Sequence, residues 1–199
     1  WIAREIETYE VPVDLVGTRN PRGEVIPERL YPVFRDEDEL SASADLSSPI
    51  YEALRRSKSL VVICSPRTIS SRYVGNEIRY FKSLDRDHGI LAMMIDGEPH
   101  ADDERECFPT ELKHPVDSDG ELDTTHEVEP VAADFRLPDG GQGWHSITEC
   151  RKHLDGESAV TRYRQRCELA KLKLIAGLLG LPLGQLVERD KAYQLELAR

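Results

Sequence analysis

Ser59-Leu60-Val61-Val62-Ile63-Cys64 decides the fold. It is a continuous, mostly β-branched apolar run without polar alternation, which is the pattern of a parallel strand covered on both faces. Downstream, Ser70 or Ser71 can cap a helix that carries Tyr73, Val74, Glu77, Ile78, Phe81 and Leu84, with Gly89 as its stop. Residues 90–95 then read as a second buried strand. Upstream, Pro49 supplies a first-turn proline for a helix ending at Arg56, with Asp45 or Ser47-Ser48 as its N-cap. Before that helix the chain is acidic and serine-rich from Asp36 to Ser48. Leu30-Tyr31-Pro32-Val33-Phe34 reads as a short strand, and residues 17–27 as the loop that leads into it. Ile2 and Ile6, with Trp1 and Tyr9 nearby, form one apolar stripe of an opening helix. The alternation of helix and strand demands an α/β domain with a mainly parallel sheet.

Residues 96–129 are acidic and lack apolar periodicity, so they read as a long excursion over the surface. Residues 128–135 fit a further strand, and Gly140-Gly141-Gln142-Gly143 a loop. Residues 157–179 form an amphipathic helix stopped by Gly180 and Pro182, and residues 183–199 a final helical stretch. The chain opens at Trp1, already inside a helical pattern, so residues upstream of it are expected.

Composition narrows the function. The 199 residues suffice for one domain with a real core. The four cysteines (Cys64, Cys107, Cys150, Cys167) are far apart and without C-x-x-C spacing, and no secretory signal opens the chain, so a reducing cytoplasm is the expected compartment. No apolar run approaches the roughly 20 residues that cross a bilayer, and no membrane association is expected. A formal net charge of -11 argues against direct nucleic-acid binding, which draws on clustered Lys and Arg. The acidic cluster at residues 36–39 lacks the spaced glycine and terminal glutamate of a calcium loop, and the six histidines are scattered, so no metal is assigned.

Ligands of parallel α/β sheets bind outside the carboxyl ends of strands. Three such ends are expected here: Phe34-Arg35-Asp36, Cys64-Ser65-Pro66 running into Ser71, and Asp96-Gly97-Glu98-Pro99. Glu77 falls within two turns of the N-terminus of the helix after the second of these, and Tyr73 precedes it by four residues on the same face. A carboxylate and an aromatic ring can therefore face one cleft. Taken alone, Glu77 is a solvated helix residue, Tyr73 is equally a half-buried core edge, and Arg35 with Asp36 is equally a structural pair.

Phe34-Arg35-Asp36-Glu37-Asp38-Glu39-Leu40 resembles the second conserved box of TIR (Toll/interleukin-1 receptor) domains, where their BB loop begins. The stretch V-V-I-C-S-P-R-T-I-S-S-R-Y-V-G-N-E at residues 61–77 resembles the strand and helix that carry the S-x-W-x-x-x-E pattern of NAD+-cleaving members, with Ser71 and Glu77 in register. Gly97-Glu98-Pro99 and Cys107-Phe108-Pro109 are similar to the prokaryotic branch. The resemblance implies a TIR fold, a flavodoxin-like central parallel sheet flanked by helices. It spans residues 1–181, with the family's N-terminal strand absent and an insertion at about 96–129, and residues 182–199 are a helical extension or linker. The sequence departs from the pattern at Tyr73, where the family usually has Trp. The implied activity is that of an NAD+ nucleosidase, a hydrolase or cyclase that cleaves the nicotinamide–ribose bond with Glu77 as the essential carboxylate. NAD+ is then the substrate, and no cofactor is expected. Ser65 and Ser71 are expected at ribose hydroxyls, Tyr73 at the nicotinamide, and Phe34, Arg35, Asp36 and Leu40 on the facing side. The implied setting is a prokaryotic defence or signalling protein, switched on by self-association with other TIR domains and joined to a C-terminal sensor or repeat module. The alternative is a non-catalytic adaptor that works through TIR–TIR contacts.

Overall fold

The computed structural model describes residues 1–35, 47–117 and 120–198. In chain order the elements are α1 (Ile2–Thr8), α2 (Ser47–Arg56), β1 (Leu60–Cys64), α3 (Pro66–Ile69), α4 (Arg72–Lys82) and, after a 3-10 turn at Asp87–Gly89, β2 (Ile90–Met94). Beyond β2 lie α5 (Thr110–Lys113), β3 (Ala132–Asp134), α6 (Ile147–His153), α7 (Gly156–Leu179) and α8 (Leu183–Leu197). No single helix among the described residues is long and apolar enough to cross a membrane.

The chain divides into two compact units, Arg35–Cys167 and Trp1–Phe34 with Glu168–Arg199. The first holds a three-stranded parallel sheet in the order β1-β2-β3, with Leu60 opposite Ile90, Cys64 opposite Met94 and Met94 opposite Asp134. Its core joins Val62 and Cys64 of β1, Ala92 and Met94 of β2, Ile78 of α4, and Cys107, Phe108 and Leu112. The other unit packs Val11, Leu15 and Ile26 against Ile175, Leu179, Leu181 and Leu186. There the buried Asn20 donates to the carbonyl of Leu179 (2.8 Å) at the end of α7, and its own oxygen accepts from the N–H groups of Arg22 and Glu24. One side chain thus closes a turn and satisfies an orphaned helix carbonyl.

Four expectations are corrected. Residues 30–34 are not a strand: Pro32 has no N–H to give, the N–H of Val33 goes to the Glu7 carboxylate (3.0 Å), and Tyr31 is 74% exposed. The run at β1 is covered on one face only: Val62 and Cys64 are buried beneath Ile78 and Leu112, but Ile63 on the opposite face is 47% exposed. The helix after Ser71 stops at Lys82 rather than Gly89, since Ser83 closes it and Asp85 turns left-handed (φ 57°). Residues 96–129 are more than a surface excursion, because Cys107, Phe108 and Leu112 return to the core.

Candidate functional site

The site is built on β1 and the two helices after it. β1 ends in Cys64, and Ser65 sits at the N-cap of α3, nine-tenths buried, its hydroxyl 2.9 Å from that of Thr68. Thr68 in turn donates to the carbonyl of Ile63 (2.8 Å), so the strand end and the first turn of α3 are tied together. Ser71 occupies the N-cap of α4, half-buried, without a side-chain capping bond.

Helix α4 buries Gly75, Ile78, Phe81 and Lys82. Lys82 reaches the carbonyl of His114 (2.6 Å), and burial pushes its ammonium below the ordinary value. On one flank of the buried face Glu111 of α5 lies against Gly75, where an added Cβ would stand 2.8 Å from its carboxylate, and pairs with Arg79 at 3.3 Å. Tyr73, Glu77 and Tyr80 recur at i, i+4 and i+7 and so form one stripe on the other flank. Tyr73 is 64% exposed, with the Arg72 guanidinium 5.2 Å from its ring centre; the hydrogen bond from Arg72 holds its phenol below the usual range. Glu77 is half-buried and engaged by its surroundings. Tyr80 meets Tyr51 of α2 edge-on, ring centres 4.7 Å apart. Arg86, beyond α4, donates to the carbonyls of Arg55 (2.9 Å) and Ser57 (2.7 Å) at the end of α2. Tyr51 meets Tyr80 and Arg55 is reached by Arg86, so α2 and α4 run side by side in the same sense, in contact at Tyr80.

The carboxyl ends of the three strands adjoin. The N–H of Ile95 donates to the carbonyl of Cys64 (3.1 Å), and Gly97 (φ 84°) lies so near Pro66 that an added Cβ would be 2.8 Å from its Cδ. At the end of β3, Arg136 grips both carboxylate oxygens of Asp134 at 3.0 Å, donates to the carbonyl of Gly97 (2.7 Å) and pairs with Glu98 (3.2 Å). Burial works to raise the Asp134 carboxyl, but the bonds from Arg136 and the charge of Arg166 outweigh it and hold the group below the usual carboxylate range. Sequence reasoning missed this network and Thr68. The only signal for it is an acid and an arginine two apart at the end of a strand.

The expected residues are divided between several places. Ser65, Ser71, Tyr73 and Glu77 share the β1–α3–α4 segment. Arg35 is exposed and engaged, and opens the same unit. Phe34, 36% exposed, belongs to the other unit. Asp36 and Leu40 lie outside the described residues. Among the described residues no group of three or more His, Cys, Asp or Glu side chains is placed to hold a metal ion. One surface depression lies away from the stripe, beyond the end of α4, where Lys82, Ser83, Asp85, Asp87 and His88 line it.

Residues 26–100 match the family model described as the TIR-like domain of Thoeris protein ThsB. No curated protein and no solved structure matches the chain.

Proposed function

We propose that residues 26–100, which match the TIR-like domain of Thoeris protein ThsB, form a prokaryotic TIR-type domain that serves in defence and signalling, and that it cleaves the nicotinamide–ribose bond of NAD+ with Glu77 as the essential carboxylate. One observation carries the reading. Glu77 lies in the matched region, between Tyr73 and Tyr80 on one stripe of α4, the helix that comes after the carboxyl end of a parallel strand.

The chemistry needs little more than that placement. Nicotinamide in NAD+ is a pyridinium and leaves as a neutral base without protonation, so no general acid is required. Positive charge develops at the anomeric carbon, and a carboxylate held beside it stabilises that charge. Water then adds to give ADP-ribose and a proton, or a nucleophile within the same molecule adds to give a cyclic product. Tyr73 stacks on the nicotinamide, and Ser71 bonds ribose hydroxyls. Ser65, whose hydroxyl is already turned to Thr68, serves chiefly to hold the strand end.

A second reading is favoured by Arg72. Its guanidinium lies over the Tyr73 ring, where a cationic nicotinamide would stack, and an exposed Arg–Tyr pair is also a protein-contact surface. Under that reading the domain is an adaptor that binds other TIR domains. Nicotinamide release by the chain, clustered through a dimerising fusion, separates the two. We expect release that Glu77→Gln, which keeps the size and hydrogen-bonding capacity of the side chain, abolishes while the protein still unfolds cooperatively. Release that is absent from the clustered wild type leaves the adaptor, and release indifferent to the substitution removes Glu77 from the mechanism.

A further inference from the structure

We propose that Arg72 binds the diphosphate of NAD+, and that its contact with Tyr73 is the resting place it leaves when substrate arrives; the inference rests on the NAD+-cleaving reading. NAD+ brings a doubly anionic diphosphate to a chain with a formal net charge of -11, and to a site whose essential group is itself a carboxylate. Binding there calls for a cation that no carboxylate of the protein already holds. Helix α4 carries three basic residues, Arg72, Arg79 and Lys82. Arg79 is paired with Glu111 on the other flank, and Lys82 is buried with its ammonium on the carbonyl of His114. Arg72 is left. Its guanidinium lies 5.2 Å from the centre of the Tyr73 ring and donates a long bond (3.4 Å) to the Tyr73 hydroxyl, and among the described residues it meets no carboxylate. An exposed contact of this kind is weak, whereas a guanidinium on a phosphate makes paired, charge-assisted bonds. Position favours the same exchange. Ser71, proposed at the ribose hydroxyls, immediately precedes Arg72, and the diphosphate hangs from that ribose through a single carbon. Pyridinium and guanidinium are both cations and do not share one face of Tyr73. Nicotinamide therefore displaces Arg72 from the ring, and the diphosphate of the same molecule receives it.

This role predicts which constants move. A bond to the diphosphate is made as fully before the glycosidic bond breaks as while it breaks, so its loss raises KM and spares kcat. A merely structural role would instead lower the folded fraction, which reduces kcat and leaves KM as it was. ADP-ribose carries the diphosphate without the pyridinium, and nicotinamide has no diphosphate. The experiment measures KM and kcat for nicotinamide release from NAD+, with ADP-ribose and nicotinamide as inhibitors, in the wild type, Arg72→Ala, Arg72→Lys and Glu77→Gln. Each chain is clustered through a dimerising fusion, which keeps differences in assembly out of the comparison. We expect Arg72→Ala to raise KM and the inhibition constant of ADP-ribose together, each about tenfold, with kcat within roughly threefold and inhibition by nicotinamide unchanged. Arg72→Lys, which keeps the charge but not the planar fork, recovers part of the loss. A KM unchanged or lowered in Arg72→Ala, a fall in kcat alone, or a rise in KM that inhibition by ADP-ribose does not share overturns the diphosphate role and leaves the Glu77 reading standing. A clustered wild type without Glu77-dependent release removes that reading, and this role with it.

Discussion

Cys64 and Cys107 are fully buried in one cluster, and their surroundings make them poor nucleophiles. Burial is the main cause that pushes the Cys64 thiol up to about 12 and the Cys107 thiol up to about 11, against an ordinary value of 9.0. Between pH 9 and 11 the unfolded chain gives up these protons while the folded chain keeps them. Stability from this source is thus complete below pH 9 and falls as pH rises, by at most about 1.4 kcal/mol per pH unit for each thiol. We expect the urea midpoint to drop over that range, and the Cys64→Ala/Cys107→Ala double variant to drop less. Equal pH profiles for the two proteins would sink the idea. Asn20 is the corresponding case for hydrogen bonding. Asn20→Ala leaves the Leu179 carbonyl and two turn N–H groups without their partner, which should cost about 1–3 kcal/mol in chemical denaturation. A loss below about 0.5 kcal/mol would mean that water replaces the side chain. Neither role was legible in the sequence, where Asn20 is one turn residue among several and the cysteines are merely unpaired.

The elements that sequence located well are those whose signal is local and redundant. β1 and β2 are uninterrupted apolar runs, and they pair in parallel as adjacent strands. α4 was found because Val74, Ile78 and Phe81 keep a helical period; its end was misplaced because Ser83 and Asp85 close it before Gly89. α6 escaped because it buries only Cys150 and leaves Ile147 exposed, so it has no periodic stripe to read. The glycine-rich loop at 140–143 was located, but its task was hidden. Gly143 donates to the carbonyl of Ile95 (2.7 Å), and a Cβ there would collide with the carbonyl oxygen of Phe135, which already accepts from the Tyr163 hydroxyl (2.8 Å). Gly143→Ala must therefore push the loop off the ends of β2 and β3. We expect a loss of about 1–3 kcal/mol, read as a lower melting temperature. Gly120→Ala, where an added Cβ meets nothing within 4 Å, bears its strain only in the backbone (φ 83°) and should lose less. A Gly143→Ala protein as stable as the wild type would show that the loop moves freely and does not brace the strand ends.

At the scale of the molecule, what sequence could not convey is long-range. The core that joins Val11, Leu15 and Ile26 to Leu179 and Leu186 has no local pattern, and Asn20 and Leu179 are 159 residues apart. Of the candidate site, the segment from Ser65 to Glu77 was legible because strand, turn and helix are consecutive. The contact of α2 with α4 through Tyr51 and Tyr80 was not, because it joins elements distant in sequence. This bears on how the proposed activity is controlled. Tyr73 is 64% exposed and Glu77 half-buried, and the depression beyond the end of α4 is not at this stripe. Catalysis through a developing positive charge gains most where water is excluded, since a carboxylate acts more strongly in a low dielectric. An exposed Tyr73 does not exclude water by itself, so a neighbouring domain set against this face would complete the enclosure. The expected consequence is that nicotinamide release per molecule is low in dilute solution and rises steeply with concentration or forced clustering, the competent state being a small fraction of the free protein. Specific activity across a wide dilution series, with and without a dimerising fusion, measures this. A constant value per molecule at every dilution would mean that the single chain already holds a complete site and that assembly serves some other end.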